Sequence, residues 1–112
     1  MAECIFDQIA SGTIPSEVVY QDDMVMAFND IHPKAPVHVL IIPKKHITSL
    51  AEMTKEDCPI ICRMMEVANE VAKKKGTPGN FKLVINTGGG SGQVIMHLHM
   101  HLLGGRQIPG FV

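Results

Sequence analysis

Hydrophobic and polar residues alternate with two different periods along this chain, and the change of period divides it into strands and helices. The run VHVLIIP, Val37 to Pro43, is apolar everywhere but His38 and is bounded by Pro36 and Pro43, which predicts a central strand. Upstream, SEVVYQDDMVMAFND holds two short β-branched and aromatic runs around Gln21, Asp22 and Asp23, the pattern of a hairpin. FKLVIN gives a fourth strand and VIMHLHMHLL a fifth. Between Ala51 and Gly76 the period lengthens. Ile61, Met64, Met65, Ala68, Val71 and Ala72 recur at helical spacing, so both methionines are expected to fill the core. Thr54 with Asp57 is a candidate cap, Pro59 moves the expected start toward Asp57, and Lys73 to Lys75 before Gly76 mark the end. ECIFDQIASG reads as a short helix with Ile5, Phe6 and Ile9 on one side and Gly12 at its stop.

Strands in a meander with one long helical excursion define an α+β domain with an antiparallel sheet. At 112 residues there is room for one core, so residues 1–112 are read as a single domain. The formal charge of -1, with no basic run longer than Lys73 to Lys75, predicts no nucleic-acid footprint. No apolar run approaches bilayer length and the first residues carry an acid rather than a basic leader, so a soluble, cytoplasmic protein without a membrane partner is expected. The odd cysteine count agrees with a reducing compartment: Cys58 and Cys62, four apart in the helical segment, are expected as small buried hydrophobes.

The chemistry concentrates in QVIMHLHMHLLGG, which places His97, His99 and His101 two residues apart. On a strand they share one face, while Met96, Leu98, Met100 and Leu102 share the other and form core. Three imidazoles in strict alternation argue against chance surface residues. A metal is one use for them. Residues i and i+2 lie ~6.8 Å apart along a strand and i and i+4 ~13 Å, so all three cannot reach one ion. A zinc site would take one or two and need ligands from elsewhere, such as His46, Cys4 or Asp7. The other use is an extended anion: neighbouring imidazoles push their titrations apart, so one can be a neutral nucleophile beside a proton donor, which suits phosphoryl or nucleotidyl transfer. Just upstream, Gly88, Gly89, Gly90 and Gly92 of NTGGGSGQ can turn successive amides toward one phosphate. The loop runs into a strand and carries no Gly-Lys-Ser/Thr, so it is neither a Walker loop nor a dinucleotide fingerprint.

HLHMHLL resembles the histidine triad signature, and AFNDIHPKAPVHVLIIPKKHI resembles a second signature of the same superfamily. With IPSEVVYQDD before and LLGGRQ after, the likeness to the histidine triad nucleotide-binding (Hint-like, or protein kinase C inhibitor-like) branch covers nearly the whole chain. The resemblance implies a homodimer whose two five-stranded sheets, each with one long and one short helix, join into one. It implies binding of purine nucleoside monophosphates and cleavage of nucleoside phosphoramidates, with no cofactor. Carried over by position, it makes His99 the nucleophile, gives His101 the phosphate and leaving group, adds His38 to the cluster, and leaves His97 to fix His99 through its backbone. Asp30 would accept the ribose hydroxyls, Phe28, Asn29 and Ile31 would form the base and sugar pocket, and Asn86, Gly92, Gln93 and Val94 would line the phosphate side. From the residues alone, Asp30 is only a turn residue in NDIHP. Three departures stand out: the branch usually has serine where this chain has Val94, RQIPGFV carries no tryptophan, and the Cys-x-x-Cys of zinc-bearing relatives is here Cys4 with Asp7. A non-catalytic nucleotide-binding or scaffold protein is the second reading and a metal-binding protein the third.

Overall fold

In a computed structural model, which describes residues 4–110, the chain forms one antiparallel sheet of five strands with a long helix on one face and a short one on the other. The elements in chain order are α1 (Ile5–Ala10), β1 (Val18–Gln21), β2 (Val25–Asn29), β3 (Val37–Pro43), α2 (Cys58–Lys74), β4 (Phe81–Val84) and β5 (Met100–Gly104). Strand order is β1-β2-β3-β5-β4, so the apolar run around β3 is central, as its composition requires. In the β1–β2 turn, the Asp22 carboxylate accepts the amides of Met24 and Val25, the Tyr20 hydroxyl and Arg63 Nε.

Two apolar layers enclose the sheet. Val25, Ala27, Val39, Ile41, Met100 and Leu102 pack against Met64, Val67, Ala68, Val71 and Ala72 of α2. On the opposite face Met26, Phe28, Leu40 and Ile42 meet Phe6 and Ile9 of α1. Burial of each of the larger side chains among them, Val, Leu, Ile, Met or Phe, contributes about 1.5–3 kcal/mol. Thr54 and Asp57 form a reciprocal capping box on a 3₁₀ turn, Lys55–Asp57, that leads into α2, and Pro59 sits in the first helical turn where its missing N–H costs nothing. Gly76 takes φ +80° just past the helix, as a left-handed stop requires.

Several expectations fail here for identifiable reasons. The helical stripe that reaches the sheet is narrower than the apolar pattern: Met64 is buried, but Met65 is 44% exposed one residue further round, and Cys58 and Cys62 lie on the solvent side. The fifth strand is five residues long instead of ten. Its ladder with β3 runs from Val37↔Gly104 to Ile41↔Met100, and Pro43 ends β3 without an N–H to extend it. Residues 94–99 instead follow the segment after β3, held by Leu98 N–H to Ile47 O at 2.6 Å. Met96, expected in the core, is therefore exposed, while Leu98 keeps its core position.

Candidate active site

Register decides which imidazoles meet. On the β3–β5 ladder Leu40 pairs with His101 and His38 with Leu103, so His38 and His101 are diagonal neighbours on one face. Their rings touch, with His38 Nε2 2.9 Å from His101 Nδ1. The Lys34 amide donates to His38 Nδ1 at 3.0 Å, which leaves the His38 proton on Nε2. That proton is shared between His101 Nδ1 and the Asp30 carboxylate, 3.3 Å away. His101 therefore accepts at Nδ1 and presents an Nε2–H outward. Burial, then the neighbouring His99 and His38 rings, lower the His101 pKa to about 4, against the pull of Asp30. Burial also lowers His38, with Asp30 opposing.

His99 stands beside His101, ring centroids 5.2 Å apart, and an edge of Phe6 closes its other side. Its Nδ1–H donates to the His97 carbonyl at 2.7 Å. In its neutral form an imidazole held this way carries its lone pair on Nε2, the nucleophilic tautomer. His97 itself is fully buried rather than facing a cleft, and its Nε2–H donates to Pro43 O at 2.8 Å. Alternation thus separates the three rings from the core leucines as expected, but gives each a different environment.

An apolar cavity of about 290 Å³ opens next to this cluster, walled by Phe6, Ile9, Phe28, Leu40 and Ile95 and rimmed by Asn29, Asp30 and Ile31. Phe28, Asn29, Asp30 and Ile31 are thereby brought together. Asp30 Oδ1 accepts the His32 amide at 2.8 Å, the turn role read from NDIHP, while Oδ2 faces His38. A second cavity lies on the far side of His38 and His101, lined by Lys34, Val84, Asn86 and Leu103. Asn86 backs onto the glycine loop, where a side chain on Gly92 would come within 3.9 Å of it. The loop is not an open nest: the amides of Ser91, Gly92 and Gln93 bond back to Gly88 and Gly89 carbonyls around the 3₁₀ turn Gly89–Ser91. Gln93 is buried and Val94 is 88% exposed. Phe6, Leu40, Ile95 and Lys34 were not singled out in the sequence as site residues. The position of Phe6 on the apolar side of a short helix was the one signal for it.

A separate donor cluster sits behind His97. Cys4 Sγ and an Asp7 oxygen lie 3.5 and 3.2 Å from His97 Nδ1, and His46 Nδ1 lies 2.9 Å from the other Asp7 oxygen. All four donor atoms fall within 4.8 Å of one another. The His97 Nε2–H on Pro43 O points the Nδ1 lone pair at the group, the second-shell arrangement of a zinc ligand. One sulfur, two nitrogens and one oxygen suit tetrahedral zinc.

An open five-stranded antiparallel sheet carrying a histidine cluster between two cavities defines the architectural class. The HIT domain family model matches residues 11–108, and the chain belongs to that family. It is 46% identical to Protein HitA of Neisseria gonorrhoeae over 93% of this chain and 97% of the relative. It is 44% identical to the purine nucleoside phosphoramidase of Escherichia coli over 95% and 90%. A crystallised histidine triad protein from Clostridium difficile superposes with a TM-score of 0.92 at 43% identity, each chain fully covered.

Proposed function

We propose that this protein is a hydrolase of purine nucleoside 5′-phosphoramidates that works through a covalent nucleotidyl-His99. The observation that carries the reading is the His99 Nδ1–H held on a backbone carbonyl, which leaves Nε2 free to attack beside an apolar cavity of nucleoside size. The name of the E. coli relative supports it. His99 Nε2 attacks the α-phosphorus, the P–N bond breaks, and the amine departs with its electron pair and takes up a proton. Water then attacks phosphorus and gives a proton back to the His101 that protonated the amine, the P–Nε2 bond breaks, and the nucleoside monophosphate leaves. His101 Nε2–H donates to a phosphate oxygen. The anionic phosphate raises the basicity of His101 above its empty-site value and lets it carry the proton to the leaving nitrogen. Phe28 and Ile31 hold the base, Asp30 the ribose hydroxyls, and Asn86 with Val94 the phosphate, while Gly92 and Gln93 shape the loop beside it.

In this reading two chains join along β4, an edge strand of the sheet, and act in the cytoplasm, where the three free thiols stay reduced. Among the described residues no helix is long and apolar enough to cross a membrane. The test is AMP release from adenosine 5′-phosphoramidate in chelator. Wild type should release AMP and His99→Ala should not, with the fold intact by circular dichroism. An active alanine variant removes His99 from the nucleophile role.

The Cys4, Asp7, His46 and His97 cluster supports an additional reading, a zinc ion with a structural role. It would tie α1 to the segments around His46 and His97, and no catalytic step needs it.

A further inference from the structure

The glycine loop is closed by the residue at its exit. Gln93 is 3% exposed, and its carboxamide is committed within the protein. Oε1 accepts the Gly88 amide at 2.8 Å while the Gln93 amide donates back to Gly88 O at 3.1 Å, a reciprocal pair that shuts residues 88–93 into a ring. Nε2 donates to Thr48 O at 2.8 Å and to Ile95 O at 3.0 Å, which pins the ring to the segment after β3. The Ser91 hydroxyl bonds only within the loop, to Thr87 O and Gly88 O. Among the described residues, every side-chain hydrogen bond from the loop to another segment therefore runs through Gln93. The run it restrains is rich in glycine and would otherwise sample many backbone conformations.

We infer that Gln93 is a positioning residue for the phosphate side of the site: its side chain touches no substrate and instead holds the loop shut against Asn86. This rests on the nucleotide-binding reading above and reassigns the Gln93 side chain from phosphate contact to loop clamp. The clamp supports the end of the site that meets phosphate, whereas the base pocket is walled by Phe6, Ile9, Phe28 and Leu40 from elements the clamp does not hold, with Ile95 the one wall residue whose backbone it meets. Its loss should therefore separate the two halves of a nucleotide.

The experiment is calorimetric titration of AMP and of adenosine into wild type and Gln93→Met, which keeps side-chain length and removes every polar bond. AMP affinity should fall at least about tenfold and adenosine affinity less than about twofold. Equal losses for both ligands mean general loosening and overturn the inference, as does an unchanged AMP affinity. A wild type that binds neither ligand refutes the proposed function and this inference with it. Amide hydrogen exchange on wild type needs no variant. Gly88 should exchange at least about tenfold more slowly than an unstructured glycine amide, and exchange at the unstructured rate refutes the clamp even if Gln93→Met fails to fold.

Discussion

Acidification from pH 7 to pH 5 should destabilise this protein through its buried imidazoles, and the site itself sets the size of the effect. His101 moves from an ordinary value of about 6.5 in the unfolded chain to about 4 in the fold. Below pH 6.5 the unfolded chain takes up a proton that folded His101 refuses, so stability falls as pH drops, until the folded group also titrates near 4. By linkage the full shift costs about 2 kcal/mol between pH 7 and 5, and the partial exposure of His101 reduces that to about 1 kcal/mol. His38, lowered in the same direction, adds to it. Asp22 and Asp57 do not contribute in this window. Burial alone would raise Asp22, but hydrogen bonds from Val25, Arg63, Met24 and Tyr20 outweigh it and hold the group well below the ordinary range. Lys45 and the Thr54 amide likewise keep Asp57 low. Thermal unfolding in chelator should therefore show a Tm lower by about 5–10 °C at pH 5 than at pH 7, and His101→Gln should flatten the profile. A Tm that is level or rising from pH 7 to 5 would refute the argument that these rings are held neutral.

Three further outcomes are expected. Asp30→Ala should weaken AMP by roughly tenfold and 2′-deoxy-AMP far less, as measured by calorimetry; equal losses would count against a ribose contact. Met64→Ala should cost about 2–5 kcal/mol in urea unfolding, whereas Met65→Ala should stay within about 0.5 kcal/mol. Purified protein dialysed against zinc should retain about one equivalent by elemental analysis, and His46→Ala should lose it while keeping AMP binding. Retention by the variant would remove His46 from the ligand set.

The strands, the long helix and its cap were legible because each rests on a local signal: period, a proline, a capping box. What escaped depends on contacts between distant segments. The expected fifth strand was too long because a local alternation cannot reveal that its partner ends at Pro43. Met65 and the helix cysteines looked buried because an apolar stripe read from sequence carries no measure of how wide a face the sheet will cover. His97, His99 and His101 are equivalent in the sequence, yet one accepts at Nδ1, one donates from it, and one turns it toward Cys4 and Asp7. For His97 and His101 the difference comes from distant segments, Pro43 and Asp7 for the one and Lys34 through His38 for the other, while His99 is set by the carbonyl two residues before it.

The acceptor that orients His99 is the carbonyl of residue 97, not a side chain. Every amino acid carries that carbonyl, so no substitution at position 97 removes it directly. The tautomer of the proposed nucleophile is thereby insulated from sequence drift at its closest neighbour, and the side chain there is free to serve another purpose. Over evolutionary time, position 97 can gain or lose a metal without rewriting the chemistry two residues away, provided the backbone path holds.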